Sequence, residues 1–208
     1  MQNEKAASSG KAKNLMVLLH GLGSNGDDLF SLVPFLQRAL PDTHFFAPDG
    51  IEQYDMAPYG FQWFSLQDRN EEVLRKELER NAPAVHKMVE DKAKELGLGL
   101  EDVVLLGFSQ GTMTSLYLTL SGGANFKAVL GFSGALIKPS KPIAGKTPIC
   151  LIHGQEDSVV PHTCMEKARR VLRDLQMEVD TLSIPYLDHS IDMRGIQKAV
   201  EFIRNCDK

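Results

Sequence analysis

Six short β-type runs, at residues 15–19, 44–47, 103–106, 128–130, 149–152 and 179–184, each stop at a glycine, a proline or a His-Gly pair. Short, largely apolar runs of this kind suit strands buried on both faces of a parallel sheet. Between them apolar residues recur every three or four positions. Leu74, Leu78, Ala82, Val85, Val89, Ala93 and Leu96 make one such stripe, and Met113, Leu116, Tyr117 and Leu120 a second, closed by Gly122-Gly123. Met165, Ala168, Leu172 and Leu175 make a third, and Ile196, Val200 and Ile203 a fourth. That period is helical. Pro83 interrupts the first stripe and predicts a kink or two helices meeting there. Alternating strands and helices argue for an α/β class with a mainly parallel central sheet covered by helices on both faces.

The chain has 208 residues, enough for one full core, and the pattern runs on without a repeat or a linker beyond the first dozen residues. The reading is a flexible tail at 1–13 and a single domain at 14–208. A formal charge of −4 gives no electrostatic footprint for nucleic acid, and no apolar stretch approaches the length of a membrane span. Met1 to Gly10 is small and polar, unlike a secretory signal, and the three cysteines include no C-x-x-C pair. These features predict a cytoplasmic protein with reduced thiols, no nucleic-acid partner and no stable membrane insertion.

The strongest chemical signal is Gly107-Phe108-Ser109-Gln110-Gly111, a G-x-S-x-G pentapeptide that leaves an apolar strand and opens a helix. A tight strand-to-helix turn lifts a serine oxygen above the sheet edge, and the flanking glycines leave room for crowded backbone. A hydroxyl is a weak nucleophile at neutral pH, so a base and a group to orient it are required. In this topology they follow the serine in the order acid, then histidine. His153, His162 and His189 are the available imidazoles. His189 is preferred because it lies in a loop between the last strand and the last helix. Asp157, just past the run 149–152, is the preferred acid, with Glu156 as the fallback. Loops at the carboxyl ends of strands are where open α/β sheets gather such groups. The oxyanion donors are expected to be the backbone N–H groups of Leu22, in His20-Gly21-Leu22-Gly23, and of Gln110. His20 itself reads as a brace for that loop.

A competing signal occupies the same loop. Gly21-Leu22-Gly23-Ser24-Asn25-Gly26 has the form G-x-G-x-x-G after a strand, with Asp49 some way on, as in dinucleotide-binding folds. That reading leaves the order of Ser109, Asp157 and His189 to coincidence, and Asp49 is wedged between Pro48 and Gly50.

Taken together, His20-Gly21-Leu22-Gly23, Gly107-Phe108-Ser109-Gln110-Gly111 and the stretch from His153 to Pro161, followed by His189-Ser190-Ile191, resemble the phospholipase/carboxylesterase family of α/β-hydrolases. The resemblance spans about residues 14–203. It implies the α/β-hydrolase fold without a large cap domain, no metal and no organic cofactor. It carries the nucleophile to Ser109, the acid to Asp157, the base to His189 and the oxyanion amides to Leu22 and Gln110. The acyl-protein thioesterase branch usually has tryptophan where Leu29 stands and glycine where Asp188 stands, so this chain is nearer the bacterial carboxylesterases.

The expected activity is hydrolysis of short- to medium-chain acyl esters, with thioesters or lysophospholipids as further candidates, by a monomer or homodimer. The alternatives are a natural role as an acyl-protein thioesterase, or a non-catalytic hydrolase-fold binding protein. Residues 51–66 hold five of the chain's 15 Phe, Trp and Tyr residues. This segment is read as a pocket wall, with Trp63, Phe64, Phe61 and Leu29 as substrate-binding residues, against the plainer reading of a hydrophobic cluster under a loop.

Overall fold

A computed structural model describes residues 3–122, 125–143 and 145–206. Each of the six runs becomes a strand. In chain order these are β2 (Asn14–Leu19), β3 (Thr43–Ala47), β6 (Val103–Phe108), β7 (Ala128–Phe132), β8 (Ile149–Gly154) and β9 (Val179–Ile184). They are joined by β1 (Asn3–Lys5) in one seven-stranded sheet of order β1-β3-β2-β6-β7-β8-β9, parallel throughout except for β1, which runs antiparallel to β3.

Successive side chains on a strand point to opposite faces, and the sequence separates accordingly. Leu15, Val17, Leu19, Val103, Leu105, Ile149 and Leu151 enter one core. Against that face pack α3 (Glu71–Glu95), α4 (Gln110–Ser121) and α5 (Thr163–Asp174). Met16, Leu18, Val104, Leu106, Cys150 and Ile152 enter the other, covered by α1 (Gly26–Phe30), α2 (Val33–Ala39) and α6 (Met193–Cys206). Runs that are apolar at every position are therefore what this sheet requires. No helix among the described residues is long and apolar enough to cross a membrane.

Three local expectations change. Residues 3–13 are not a free tail, because β1 pairs Asn3, Glu4 and Lys5 with Ala47, Phe46 and Phe45. Glu4 also accepts from the buried Lys92 ammonium at 2.8 Å, an interaction between residues 88 positions apart that no local pattern announces. Pro83 does not divide the segment into two helices. The α3 helix is continuous through it, with the ring on the exposed side and the stripe Leu78, Ala82, Val85, Val89 and Ala93 buried on either side of it. Within 51–66 the chain folds a small antiparallel hairpin, β4 (Glu52–Gln53) with β5 (Phe61–Gln62). The second stripe ends with α4 at Ser121 and Gly122, and Gly123 lies outside the described residues.

Candidate active site

Leu22, Ser109, Gln110, Asp157 and His189 each follow the carboxyl end of a strand of the sheet, and the local sequence explains how. Ser109 sits between β6 and α4 at φ 53° and ψ −113°, a left-handed conformation that costs a non-glycine residue about 1–3 kcal/mol. Surrounding bonds impose it. Ser109 N–H donates to the Phe132 carbonyl at 2.9 Å, while its own carbonyl accepts from Thr112 N–H at 3.0 Å and Met113 N–H at 3.2 Å. The flanking glycines are sterically required. A Cβ on Gly107 would stand 2.4 Å from the Thr112 nitrogen, and one on Gly111 would stand 1.8 Å from the Leu19 carbonyl oxygen. The turn thus depends on close approach of three backbone segments.

Asp157 and His189 meet. His189 Nδ1 lies 2.8 Å from Asp157 Oδ2. The other carboxylate oxygen accepts from the backbone N–H groups of Val159 at 3.0 Å and Val160 at 2.7 Å. Burial alone pushes this carboxyl up, but the His189 bond, the Val160 amide, the charge of His189 and the Val159 amide together hold it below the usual carboxylate range. With Nδ1 facing a carboxylate, the neutral His189 tautomer leaves Nε2 as the free acceptor. Ser109 and His189 both line one cavity of about 710 Å³, and the His189 ring packs 4.8 Å, centroid to centroid, from the ring of Phe108. No hydrogen bond joins the Ser109 and His189 side chains among the described residues.

The other two histidines have structural partners. His153 Nε2 is 2.8 Å from the Val160 carbonyl and 3.2 Å from Asp157 Oδ2. Burial holds its imidazole below the ordinary range, so it stays neutral and serves as an additional support of the acid. His162 Nε2 bonds the Ser183 hydroxyl at 2.8 Å. Glu156, the fallback acid, is exposed.

Leu22 lies on the cavity wall, and Gln110 is the first residue of α4, where a backbone N–H has no partner within the helix. The loop carrying Leu22 is held from several sides. His20 Nε2 accepts from Gly50 N–H at 2.9 Å while Nδ1 faces the Gly21 carbonyl at 2.7 Å, an arrangement that fixes a neutral imidazole with its proton on Nδ1. Burial favours the same form. His20 is a brace, as expected. The dinucleotide pattern also resolves into packing: a Cβ on Gly26 would stand 2.1 Å from the Ala47 carbonyl oxygen, and Asp49 is engaged by Gly26 N–H at 2.9 Å.

The aromatic residues of this segment do not line the cavity, although Leu66 at its end does. Trp63 and Phe64 are fully buried in the core, and neither they nor Phe61 touch the cavity wall, whereas Leu29 does. Their polar groups explain the inward turn. The Trp63 indole N–H donates to the His20 carbonyl at 2.9 Å, and Trp63 N–H donates to Gln110 Oε1 at 2.9 Å. Gln110 Nε2 in turn donates to the Phe64 carbonyl at 2.6 Å. Phe61 pairs with the Leu22 loop through Gly23 N–H to its carbonyl and its own N–H to Ser24. The segment is a bracket beneath both expected oxyanion loops.

Trp63→Phe, which removes the indole N–H and leaves the buried His20 carbonyl unpaired, is therefore expected to destabilise the fold by about 1–3 kcal/mol. The ratio of butyrate to octanoate ester rates should stay constant. A changed ratio with an unchanged melting temperature would return Trp63 to the pocket. Apart from Leu66, which ends the segment 51–66, sequence reasoning missed the aliphatic wall of the cavity, which includes Leu32, Leu74, Met113, Ile137 and Ile191. Leu74 and Met113 belong to stripes read as core, and a cavity that opens into the core uses the same periodicity.

Over residues 2–207 the sequence matches the family model described as Phospholipase/Carboxylesterase. Esterase YpfH of Escherichia coli (strain K12) is 28% identical over 193 residues, which cover 93% of this chain and 83% of that protein. Acyl-protein thioesterase 1 of Kluyveromyces lactis is 25% identical over 215 residues, covering 95% and 94% respectively. Among solved structures, that of esterase PE8 superposes with a TM-score of 0.92 at 36% identity, covering 99% of this chain and 98% of that one. The chain belongs to the phospholipase/carboxylesterase family and is an ester hydrolase with the α/β-hydrolase fold.

Proposed function

We propose that the protein is a serine carboxylesterase in which Ser109, His189 and Asp157 act together on short- to medium-chain acyl esters and thioesters. The observation that carries this reading is the 2.8 Å bond from His189 to Asp157 on the rim of the cavity whose wall also holds the strained Ser109. His189 Nε2 takes the hydroxyl proton as Ser109 Oγ bonds to the acyl carbon. The former carbonyl oxygen becomes an anion facing the N–H groups of Leu22 and Gln110. Collapse of the tetrahedral species breaks the bond to the leaving group, which departs as alcohol or thiol with the proton from Nε2. Water then attacks the acyl-enzyme by the same route, returning the free serine and a carboxylic acid. Asp157 keeps the imidazole in the useful tautomer and stabilises it when charged.

The cavity supports an acyl substrate. Its volume falls within the range of small-molecule sites, and its wall is mostly aliphatic, so burying a chain there releases about 0.8 kcal/mol per methylene. A fluorophosphonate probe tests the reading directly, because only an activated serine reacts with it. Stoichiometric labelling at Ser109, together with release of acid from a panel of esters and thioesters, is the expected result. An unlabelled Ser109 in folded protein would point to the hydrolase-fold binding protein instead.

A further inference from the structure

The loops that bear Asp157 and His189 meet in more than one place. Glu156 N–H donates to the Leu187 carbonyl at 3.0 Å, Ser158 donates to Asp188, and Asp157 accepts from His189. Residues on each side of the acid are thus bonded to the two residues that precede the histidine. The Leu187 contact uses only backbone and any residue would supply it. The Asp188 contact is specific to its side chain: Oδ1 accepts both the N–H of Ser158 at 2.8 Å and its hydroxyl at 2.9 Å.

Other features make this clamp consequential. A Cβ on Gly154 would stand 2.2 Å from the Leu187 carbonyl oxygen and 2.7 Å from that of Asp188, so the two loops touch through backbone at their base. Ser190 N–H returns to the Asp188 carbonyl at 2.8 Å, closing a tight turn around His189, and Tyr186 before it is left-handed at φ 60°. The histidine is therefore carried on a narrow turn whose far end is fastened by one side chain.

The geometry points to Asp188 as a positioning residue: by gripping Ser158 it fixes the turn that carries His189 against the loop that carries Asp157, holding the imidazole in line with Ser109. This inference rests on the proposed roles of Ser109, Asp157 and His189 and adds a residue that touches neither substrate nor reacting atoms.

The test compares Asp188→Ala, Asp188→Asn, Ser158→Ala and the Asp188→Ala/Ser158→Ala double variant on p-nitrophenyl butyrate. Misplacing a catalytic group by an ångström costs up to about 10² in rate, so Asp188→Ala is expected to lose about 10- to 100-fold in kcat with little change in KM. Asparagine keeps the accepting oxygen and should restore kcat to within about threefold of wild type. The double variant should be no worse than Asp188→Ala alone, because Ser158→Ala removes only a hydroxyl bond that Asp188→Ala has already abolished. A wild-type kcat in Asp188→Ala, an asparagine variant as impaired as alanine, or additive losses in the double variant would each overturn the clamp. Labelling by the fluorophosphonate separates this from the underlying reading. Equal labelling rates for wild type and Asp188→Ala remove the clamp and leave the nucleophile intact, whereas an unreactive Ser109 in wild type removes both.

Discussion

Replacing Ser109 with alanine is expected to lower kcat on p-nitrophenyl butyrate by about 10⁶, the cost of losing the nucleophile in a comparable triad, while the protein still unfolds cooperatively. The two halves of that expectation have separate physical grounds. The hydroxyl makes no hydrogen bond within the protein among the described residues, so deleting it orphans no buried partner. The left-handed backbone at 109 is imposed by Phe132, Thr112 and Met113 through main-chain atoms that alanine retains. Strain is unchanged and chemistry is lost. A variant that kept more than about 1% of the wild-type turnover would exclude Ser109 as the nucleophile, since the oxyanion donors and binding alone supply only about 10³–10⁴ over water. Melting temperature measured in parallel distinguishes that outcome from simple unfolding.

What the sequence made legible follows from how local each cause is. The parallel strands declare themselves because both faces are buried, which forces continuous apolar runs such as residues 15–19. The strained turn at Ser109 is legible because it demands Gly107 and Gly111 at fixed spacing, and the clash distances at both positions show why. The meeting of Asp157 and His189 follows chain order and strand ends, although 32 positions separate them. The β1 strand was not. Asn3, Glu4 and Lys5 have no alternating pattern, and their pairing depends on an open edge at β3 and on Lys92. The aromatic segment was half legible. Its composition announced burial, but the side to which it turned was decided by single polar atoms, the Trp63 indole N–H and the Gln110 amide, whose partners lie more than 40 positions away. Pro83 does not divide α3 for a related reason: a proline is tolerated where the bond it removes lies on the exposed face of a helix whose other face is firmly buried.

Asp157→Asn should have the second-largest effect, a fall in kcat of about 10⁴, through tautomer rather than shape. The wild-type carboxylate is surrounded by donors: Val159 and Val160 N–H on Oδ1, His189 Nδ1 on Oδ2, and His153 Nε2 3.2 Å from Oδ2. An asparagine that keeps its oxygen on the two backbone amides turns its NH₂ toward His189. Nδ1 must then accept, the proton moves to Nε2, and the nitrogen that should take the serine proton is already occupied. The same substitution has a signature in stability. The Asp157 carboxyl is held below its ordinary range in the folded protein, so its ionised form contributes stability that is fully present above about pH 4 and is lost as pH falls through the depressed folded value. The melting-temperature gap between wild type and Asp157→Asn should therefore be widest at neutral pH and close on acidification. If instead kcat fell by less than about tenfold and the gap were independent of pH, Asp157 would be no more than the cap of the Val159–Val160 turn, and the orienting acid would have to be sought elsewhere. Exposed Glu156, whose backbone is already committed to Leu187, is poorly placed to replace it.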